Sequence, residues 1–84
     1  MTDDEKYYVY VIKSLVNERH YIGFTEDILN RLKKHNGRKV RSTKSNAPYK
    51  LLYVEECDSR INARKREVFL KSGRGRDFIK NVTS

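Results

Sequence analysis

The chain has 84 residues, enough for one domain with a modest core, and we expect residues 1–84 to form a single domain. Charged residues make up 36% of it and hydrophobic residues 37%, but the apolar residues fall in periodic runs, which argues against a disordered chain. It shows no signal peptide and no apolar run long enough to cross a membrane, so a cytoplasmic protein is expected. The single cysteine, Cys57, cannot form an internal disulfide and is expected to be a small buried residue on a strand.

The charge is strongly positive and unevenly distributed. Nineteen Lys and Arg residues against eleven Asp and Glu residues give a net charge of +8. Acids crowd the N-terminus, where residues 1–6 are expected to form a flexible, solvated tail. No acid occurs between Ile28 and Val54, a segment that contains Arg31, Lys33, Lys34, Arg38, Lys39, Arg41, Lys44 and Lys50. Such a segment attracts polyanions, most commonly nucleic acid, although a merely solvated surface is the alternative. A membrane surface is disfavoured because no helix with a large apolar face accompanies the charge.

The first half of the chain predicts a hairpin followed by a helix. Tyr7–Lys13 is β-branched and aromatic and apolar on both faces, which predicts a central strand. After a turn, His20–Thr25 predicts the return strand. Thr25 is expected to cap a helix that has Glu26 and Asp27 in its first turn, runs to about Asn36 and ends at Gly37. Helical spacing predicts a buried stripe of Ile28, Leu29 and Leu32, and a separate column of Asp27, Arg31 and His35.

The second half predicts a loop, a strand and two helices. Arg38–Pro48 is polar and basic and has the composition of a mobile loop. Tyr49–Cys57 predicts a third strand. A helix capped by Asp58 or Ser59 and ending at Gly73 follows, and a short helix over about Arg76–Val82 closes the chain. The order ββα-loop-βαα predicts an α+β fold, a small three-stranded, mostly antiparallel sheet flanked by helices.

Several residues have no obvious role in a core. Glycine inside a strand weakens it, so Gly23 indicates either a bulge or a close approach to the backbone. Tyr10 and Tyr21 fall on adjacent strands and form either a packing pair or part of a site. Arg31 carries a planar fork suited to phosphate oxygens, and His35 can exchange a proton near neutral pH, whereas a surface ion pair of Arg31 with Asp27 is the plain alternative.

Glu67 is the candidate metal ligand. It lies at the edge of an apolar strip in the long helix, so its carboxylate is expected to be partly buried and to need a partner. Lys71, four residues later, is one candidate. A divalent cation is the other, because one carboxylate together with substrate oxygens and water is a normal way to hold magnesium. Arg60, Arg64, Lys65 and Arg66 on the same helix are expected to form a solvated or DNA-facing surface.

Taken together, these residues and their order along the chain resemble the GIY-YIG nuclease superfamily, and more closely its small single-domain bacterial members. Tyr8-Val9-Tyr10 stands where that family has its first tripeptide, and Tyr21-Ile22-Gly23 stands where it has its second. Arg31 and His35 follow in the next helix and Glu67 in a later one. The segments "HYIGFTEDILNRLKKHN" and "REVFLKSGRGRDF" carry the resemblance most strongly.

The resemblance implies a metal-dependent phosphodiesterase acting on DNA. It implies that Glu67 holds one divalent ion, Mg²⁺ or Mn²⁺, that Tyr10 and Tyr21 lie beside the scissile phosphate, and that one of them helps to activate water. Arg31 would stabilise the charge on the phosphate, with His35 near the nucleophile, and surrounding cations would depress the pKa of a phenol. Gly23 would let the phosphate approach the strand. The residues expected to bind substrate are Gly23, Lys34, Arg38, Lys39, Arg41, Lys44 and Lys71.

Three functions remain open at this level. The leading one is a DNA endonuclease or nickase, with branched or flapped DNA among its candidate substrates and a protein partner as a candidate source of specificity. The second is a basic nucleic-acid-binding module with little turnover, and the third is a domain that recruits an acidic protein. Repair, homing and restriction all use this superfamily, so the pathway is left open, as are DNA against RNA and the oligomeric state.

Overall fold

The computed structural model describes residues 6–83, and within them a three-stranded antiparallel sheet packs with three α-helices. The strands are β1 (Tyr7–Ser14), β2 (His20–Thr25) and β3 (Tyr49–Cys57). The helices are α1 (Ile28–Asn36), α2 (Arg60–Leu70) and α3 (Gly73–Thr83), and a 3-10 helix covers Lys44–Asn46. The strand order is β2-β1-β3. The predicted α+β class, the element order and the central place of β1 are confirmed.

Two predictions concern the N-terminal tail and the absence of a membrane-spanning segment. The predicted tail lies outside the described residues except for Lys6, which is exposed and pairs with Glu56 at 2.9 Å. Within residues 6–83, no helix has the length and apolar character needed to span a bilayer.

The alternating side chains of β1 contribute to two separate clusters. Tyr7, Val9 and Val11 pack under α2 and α3 in a core that includes Ala63, Leu70 and Ile79. Tyr10 and Ile12 point to the opposite face and pack with Ala47 and Tyr49, flanked by Tyr21, Ile28 and Leu32. The sheet therefore separates the helical core from a second, aromatic cluster, and the second cluster contains two of the candidate site residues.

The strand pairing excludes a bulge at Gly23. The β1–β2 register runs without a shift from Tyr8 opposite Thr25 to Lys13 opposite His20, and it places Tyr10 opposite Gly23. The irregularity occurs instead on the other side of β1, between Val11 and Ile12 where they pair with β3. The bulge interpretation of Gly23 is therefore wrong, and a close approach remains.

Three details of α1 differ from the prediction. Asp27, in extended backbone conformation, is the N-cap, and its side chain accepts from the backbone N–H of Asn30 at 3.1 Å. Thr25 instead accepts from the N–H of Asp27 at 3.1 Å, so neither Glu26 nor Asp27 lies in the first turn. Leu29 is 73% exposed, because the helix turns His35 rather than Leu29 towards the aromatic cluster.

The second helix is shorter than predicted and the third is longer. Ser59 caps α2 by accepting from the N–H of Asn62 at 3.1 Å, which confirms one of the two candidate caps. The helix ends at Leu70, not at Gly73, and α3 already begins at Gly73 rather than Arg76. Gly75 explains the tight corner, since a Cβ there would collide with the backbone of Phe69 and Leu70.

Candidate active site

Four of the five residues predicted to form a site come together on the aromatic face of the sheet. Tyr10 comes from β1 and Tyr21 from the adjacent β2, while Arg31 and His35 are one turn apart on α1. The Tyr21 and His35 ring centroids are 5.1 Å apart, those of Tyr10 and His35 are 5.8 Å apart, and those of the two tyrosines 6.5 Å apart. Residues from two strands and one helix thus share one small volume.

Gly23 makes room for the phenol of Tyr10. A Cβ at Gly23 would lie 2.7 Å from the Tyr10 hydroxyl oxygen and 2.9 Å from Cζ, so any other residue would force the Tyr10 side chain to shift. The close approach expected at Gly23 is therefore present, but the group that approaches is the Tyr10 side chain. This contact alone explains a glycine at this position, and the approach of a phosphate to Gly23 stays a prediction.

The Tyr10 hydroxyl is the centre of a hydrogen-bonded chain. It lies 2.9 Å from His35 Nε2 and 3.5 Å from Arg31 Nε, which donates to it. On the far side of the imidazole, His35 Nδ1 lies 2.7 Å from the Thr43 hydroxyl, which donates to the carbonyl of Val40 at 3.4 Å. With the Thr43 proton directed at Val40, Nδ1–H donates to Thr43, and Nε2 accepts from the Tyr10 hydroxyl.

Burial sets the protonation state of both partners. The His35 side chain is fully buried, and this burial, assisted by the Arg31 charge, lowers the pKa of His35 to about 4. Burial also raises the pKa of Tyr10, and the hydrogen bond and charge of Arg31 oppose that rise without cancelling it. At neutral pH the pair is therefore a neutral imidazole and a neutral phenol. The Arg31 charge alone therefore does not depress the pKa of Tyr10 below its ordinary value, and the depression expected from Arg31, the lysines and a metal ion together stays a prediction.

Thr43 and Tyr49 complete the surroundings of His35 and were not predicted. Thr43 is fully buried, and its carbonyl accepts from the Tyr49 hydroxyl at 3.2 Å. The Tyr49 ring centroid is 5.9 Å from that of His35, and its backbone N–H donates to Asn36 Oδ1 at 2.6 Å. The supposed mobile loop therefore carries a buried residue of the cluster. No helical or strand periodicity in "RSTKSNAP" indicated that Thr43 returns to His35.

Glu67 lies on α2 with two cationic partners. Only 8% of the residue is exposed, and its two carboxylate oxygens accept from Arg64 Nη1 at 2.7 Å and Lys71 Nζ at 2.9 Å. Burial would raise the pKa of Glu67, but hydrogen bonds from Lys71 and Arg64 outweigh it, and the net pKa is below its usual value. The predicted pairing with Lys71 is present, and Arg64 is a second partner that the sequence reading assigned to the solvated surface.

Glu67 stands apart from the aromatic cluster. Within residues 6–83, no hydrogen bond joins it to Tyr10, Tyr21, Arg31 or His35. The pKa of Tyr10 is raised mainly by burial, and the charge of Glu67 adds the smallest contribution to that rise. The cluster and the carboxylate are thus coupled electrostatically.

The donor set around Glu67 allows a one-carboxylate magnesium site. Within the described residues, no group of three or more His, Cys, Asp or Glu side chains could surround a metal. A carboxylate has about four lone-pair positions, and Mg²⁺ commonly takes one protein carboxylate and fills its other positions with water and phosphate oxygens. The Arg64 and Lys71 side chains are 63% and 51% exposed, so each can turn into solvent when a metal ion replaces its charge at the carboxylate. The residues present therefore fit such an ion.

The residues predicted to bind substrate divide into two groups. Lys34, Arg38, Lys39, Arg41 and Lys44 are all exposed in the last part of α1 and the following loop, and no ion pair within residues 6–83 involves them. Lys71 instead pairs with Glu67. The arginines of α2 are also occupied: Arg66 donates to Glu55 at 2.7 Å and lies over Phe78, and Arg60 lies over Phe24. Arg60, Arg64 and Lys65 are exposed, as predicted for a solvated surface, whereas Arg66 is half-buried in its ion pair with Glu55, and that this surface faces DNA stays a prediction.

Comparison with known proteins agrees with this geometry. A family model described as the GIY-YIG catalytic domain matches residues 6–80. The UPF0213 protein SSP2268 of Staphylococcus saprophyticus is 36% identical over 69 residues, covering 81% of this chain and 83% of that protein. A UPF0213 protein of Limosilactobacillus reuteri is 37% identical over 70 residues, covering 80% and 72%. The solution structure of the UPF0213 protein BH0048 from Bacillus halodurans is similar with a TM-score of 0.56 and 26% identity, covering 92% of this chain and 84% of that one.

Proposed function

The chain belongs to the GIY-YIG catalytic-domain family, and on that basis we propose that it is a divalent-metal-dependent endonuclease that hydrolyses phosphodiester bonds of DNA. The family is one of nucleases, and the fold and the two tripeptide positions agree with it. The residues to which we assign the chemistry are Tyr10, Tyr21, Arg31, His35 and Glu67.

The observation that carries the proposal is the position of the Tyr10 hydroxyl between a proton acceptor and a cation. His35 Nε2 is neutral and lies 2.9 Å away, and the Arg31 guanidinium lies on another side at 3.5 Å. A phenol that gives up its proton needs both an acceptor for the proton and a positive charge beside the phenolate. A buried tyrosine that only packs would still need an acceptor for its hydroxyl, but it would not need a cation beside its oxygen, so the Arg31 contact favours chemistry over packing.

Arg31 has a second role in this proposal. Hydrolysis of a phosphodiester builds negative charge on the non-bridging oxygens, and a fixed guanidinium stabilises that charge as it develops. Arg31 is held by its place on α1 and its contact with Tyr10, so it is positioned before substrate arrives. Lys34, Arg38, Lys39, Arg41 and Lys44 would hold the flanking phosphates, with Gly23 and Lys71 bordering the scissile one.

Glu67 would hold the metal ion, Mg²⁺ or Mn²⁺. When bound there, such an ion polarises a phosphate oxygen and lowers the pKa of a coordinated water. Because the pKa of Glu67 lies below its usual value, the carboxylate is ionised at neutral pH and needs no proton release to bind a cation. Lys71 and Arg64 would then turn from the carboxylate towards phosphate oxygens.

The two ion pairs of Glu67 favour a second function, a nucleic-acid-binding module without metal. Both Glu67 oxygens are already compensated by Arg64 and Lys71, as expected in a module that binds nucleic acid and needs no metal. In that case the basic surface would bind DNA in a salt-sensitive manner without cutting it.

The two functions are separated by nicking of supercoiled plasmid with magnesium or manganese, in parallel with DNA binding. We expect Glu67→Gln and Arg31→Ala to lower the nicking rate at least about a hundredfold, corresponding to roughly 2.7 kcal/mol or more of transition-state stabilisation. Glu67→Gln should bind duplex DNA as the wild type does, and Glu56→Gln, an exposed carboxylate on β3, is the matched control. Nicking by Glu67→Gln at the wild-type rate would refute the assigned site. Salt-sensitive binding with no cutting by the wild type would establish the binding module instead.

A further inference from the structure

Thr43 is a fully buried residue in a loop that is otherwise mostly exposed. The loop joins α1 to β3, and the residues on either side of Thr43, Ser42 and Lys44, are both exposed. The Thr43 hydroxyl oxygen lies 2.7 Å from Nδ1 of His35, which is itself fully buried. A polar side chain is buried at little cost only when its hydrogen bonds are made. The contact with His35 therefore explains why this one hydroxyl of the loop points inward.

The loop itself holds Thr43 in place. The Thr43 N–H donates to the carbonyl of Val40 at 3.1 Å, and the hydroxyl donates to the same carbonyl at 3.4 Å. The Thr43 carbonyl accepts from the N–H of Asn46 at 3.1 Å and from the Tyr49 hydroxyl at 3.2 Å. Both backbone groups of Thr43 are thus bonded independently of His35, so the hydroxyl is a fixed point against which the imidazole can be oriented.

Tyr10 decides from the other side which nitrogen of His35 carries the proton. The Tyr10 residue is 1% exposed, and Arg31 Nε donates to its hydroxyl oxygen. Within residues 6–83, the only acceptor within hydrogen-bond distance of the phenol proton is His35 Nε2, at 2.9 Å. If Nε2 carried a proton, the buried phenol proton would have no acceptor. The His35 proton is therefore on Nδ1, where the Thr43 hydroxyl accepts it.

A hydroxyl at this place suits His35 before and after proton transfer. When the phenol O–H bond of Tyr10 breaks and an N–H bond forms at Nε2, the imidazole gains a positive charge and the phenolate keeps the negative one beside Arg31. Nδ1–H still donates to the Thr43 oxygen, whose own proton stays on the carbonyl of Val40. No hydrogen bond has to be exchanged at Nδ1 while the proton moves, which is the property expected of a preorganised site.

We propose that Thr43 is a positioning residue for His35: its hydroxyl keeps the proton of the ring on Nδ1 and directs the lone pair of Nε2 at Tyr10. The effect on catalysis rests on the proposed nuclease function, whereas the orientation of His35 does not. The plain alternative is a threonine that only contributes stability by filling its place in the loop. A positioning residue, in contrast, changes the protonation of the ring and the turnover of bound substrate.

Thr43→Val and Thr43→Ser form a matched pair for the first test. Valine keeps the shape of threonine and loses the hydroxyl, whereas serine keeps the hydroxyl and loses a methyl group. The NMR chemical shifts of the two His35 ring nitrogens, recorded near neutral pH without DNA or metal, show which nitrogen carries the proton. Wild type and Thr43→Ser should show a protonated Nδ1 and an unprotonated Nε2. In Thr43→Val the two shifts should move towards each other, because neither tautomer keeps both nitrogens bonded.

The second test is plasmid nicking with magnesium, at a temperature where circular dichroism shows all three proteins folded. Thr43→Val should lower kcat at least about tenfold and change KM less than about twofold, while Thr43→Ser should stay within about threefold of the wild type. Wild-type nitrogen shifts or a wild-type kcat in Thr43→Val would overturn the proposal, as would equal losses of kcat in the two variants. If the wild type does not nick, the proposed nuclease function fails, and the nitrogen shifts alone decide whether Thr43 orients His35.

Discussion

The buried, neutral His35 predicts a specific loss of stability in mild acid. In the folded protein the pKa of His35 is about 4, against an ordinary value of 6.5, which is the value expected in the unfolded chain. Between these two values the unfolded chain binds a proton that the folded protein does not. The free energy of unfolding therefore falls as the pH is lowered through this window, and the contribution is fully present only above about pH 6.5.

The size of the effect follows from the difference between the two pKa values. A difference of about 2.5 between 6.5 and about 4 corresponds to a limit of roughly 3.4 kcal/mol. Between pH 7.5 and pH 4.5 the His35 contribution to the free energy of unfolding should fall by about 2.5 kcal/mol. For a domain of this size, with a total stability of about 5–15 kcal/mol, such a loss is a large fraction.

The assay is urea unfolding at the two pH values, followed by circular dichroism because the chain has no tryptophan. His35→Gln should remove most of the pH dependence, while His20→Gln, at the other histidine of the chain and an exposed position, should leave it intact. The lowered pKa of Glu67 acts in the same direction, but it acts below about pH 4.5 and equally in both variants. An unchanged pH dependence in His35→Gln, or an NMR titration of His35 near pH 6.5, would refute the reasoning.

Two further substitutions test the packing and hydrogen bonding around the same histidine and tyrosine. Gly23→Ala should destabilise the fold by about 1–3 kcal/mol, since its Cβ would lie 2.7 Å from the Tyr10 hydroxyl oxygen. In the Tyr10→Phe background the same change should cost less, because the hydroxyl oxygen is gone. If the unfolding free energies of the two single variants, measured in urea, simply add in the double variant, the contact between Gly23 and Tyr10 is contradicted. Thr43→Val should cost about 1–3 kcal/mol because it leaves His35 Nδ1 without a partner. Thr83→Val is its control, because it removes a half-buried threonine hydroxyl that donates only to a backbone carbonyl, that of Ile79, at 2.7 Å. Equal losses of unfolding free energy in the two variants would argue against the bond to His35.

The strands were predictable because their signals are local. The run "YYVYVIK" is apolar on both faces, and such a run is stable only with a neighbour on each side and packing above and below. Tyr49–Cys57 was placed at its observed bounds for similar reasons. Alternation of side chains then placed Tyr10 and Tyr21 on one face without any knowledge of the tertiary structure.

The inward face of α1 was predicted only in part: Ile28 and Leu32 pack against the aromatic cluster as expected, but Leu29 does not, and His35 is buried for a reason other than hydrophobicity. The amphipathic interpretation selected Leu29 for the interior, yet Leu29 is 73% exposed while His35 is fully buried. A histidine is buried here because Tyr10 and Thr43 satisfy both of its ring nitrogens. Those partners come from 25 residues before it and 8 residues after it, and no helical pattern contains that information.

The end of α2 is a second feature that the sequence did not predict correctly. Gly73 was taken as the stop because glycine commonly follows a helix. The glycine that matters is Gly75, whose missing side chain allows α3 to start against the last turn of α2. Which glycine permits a close approach depends on the other helix, and this is settled only when both helices are packed.

The central place of β1 has a consequence for how the protein loses its proposed activity. Tyr10 is paired through its strand with β2 on one side and β3 on the other, so the amide protons around it should exchange with solvent only when the whole sheet opens. A local fluctuation of a loop or a helix end does not displace its phenol. On heating, Tyr10 should therefore stay in place until the β-sheet signal is lost, and any earlier loss of nicking would report displacement of Arg31, His35 or Glu67, which lie on helices.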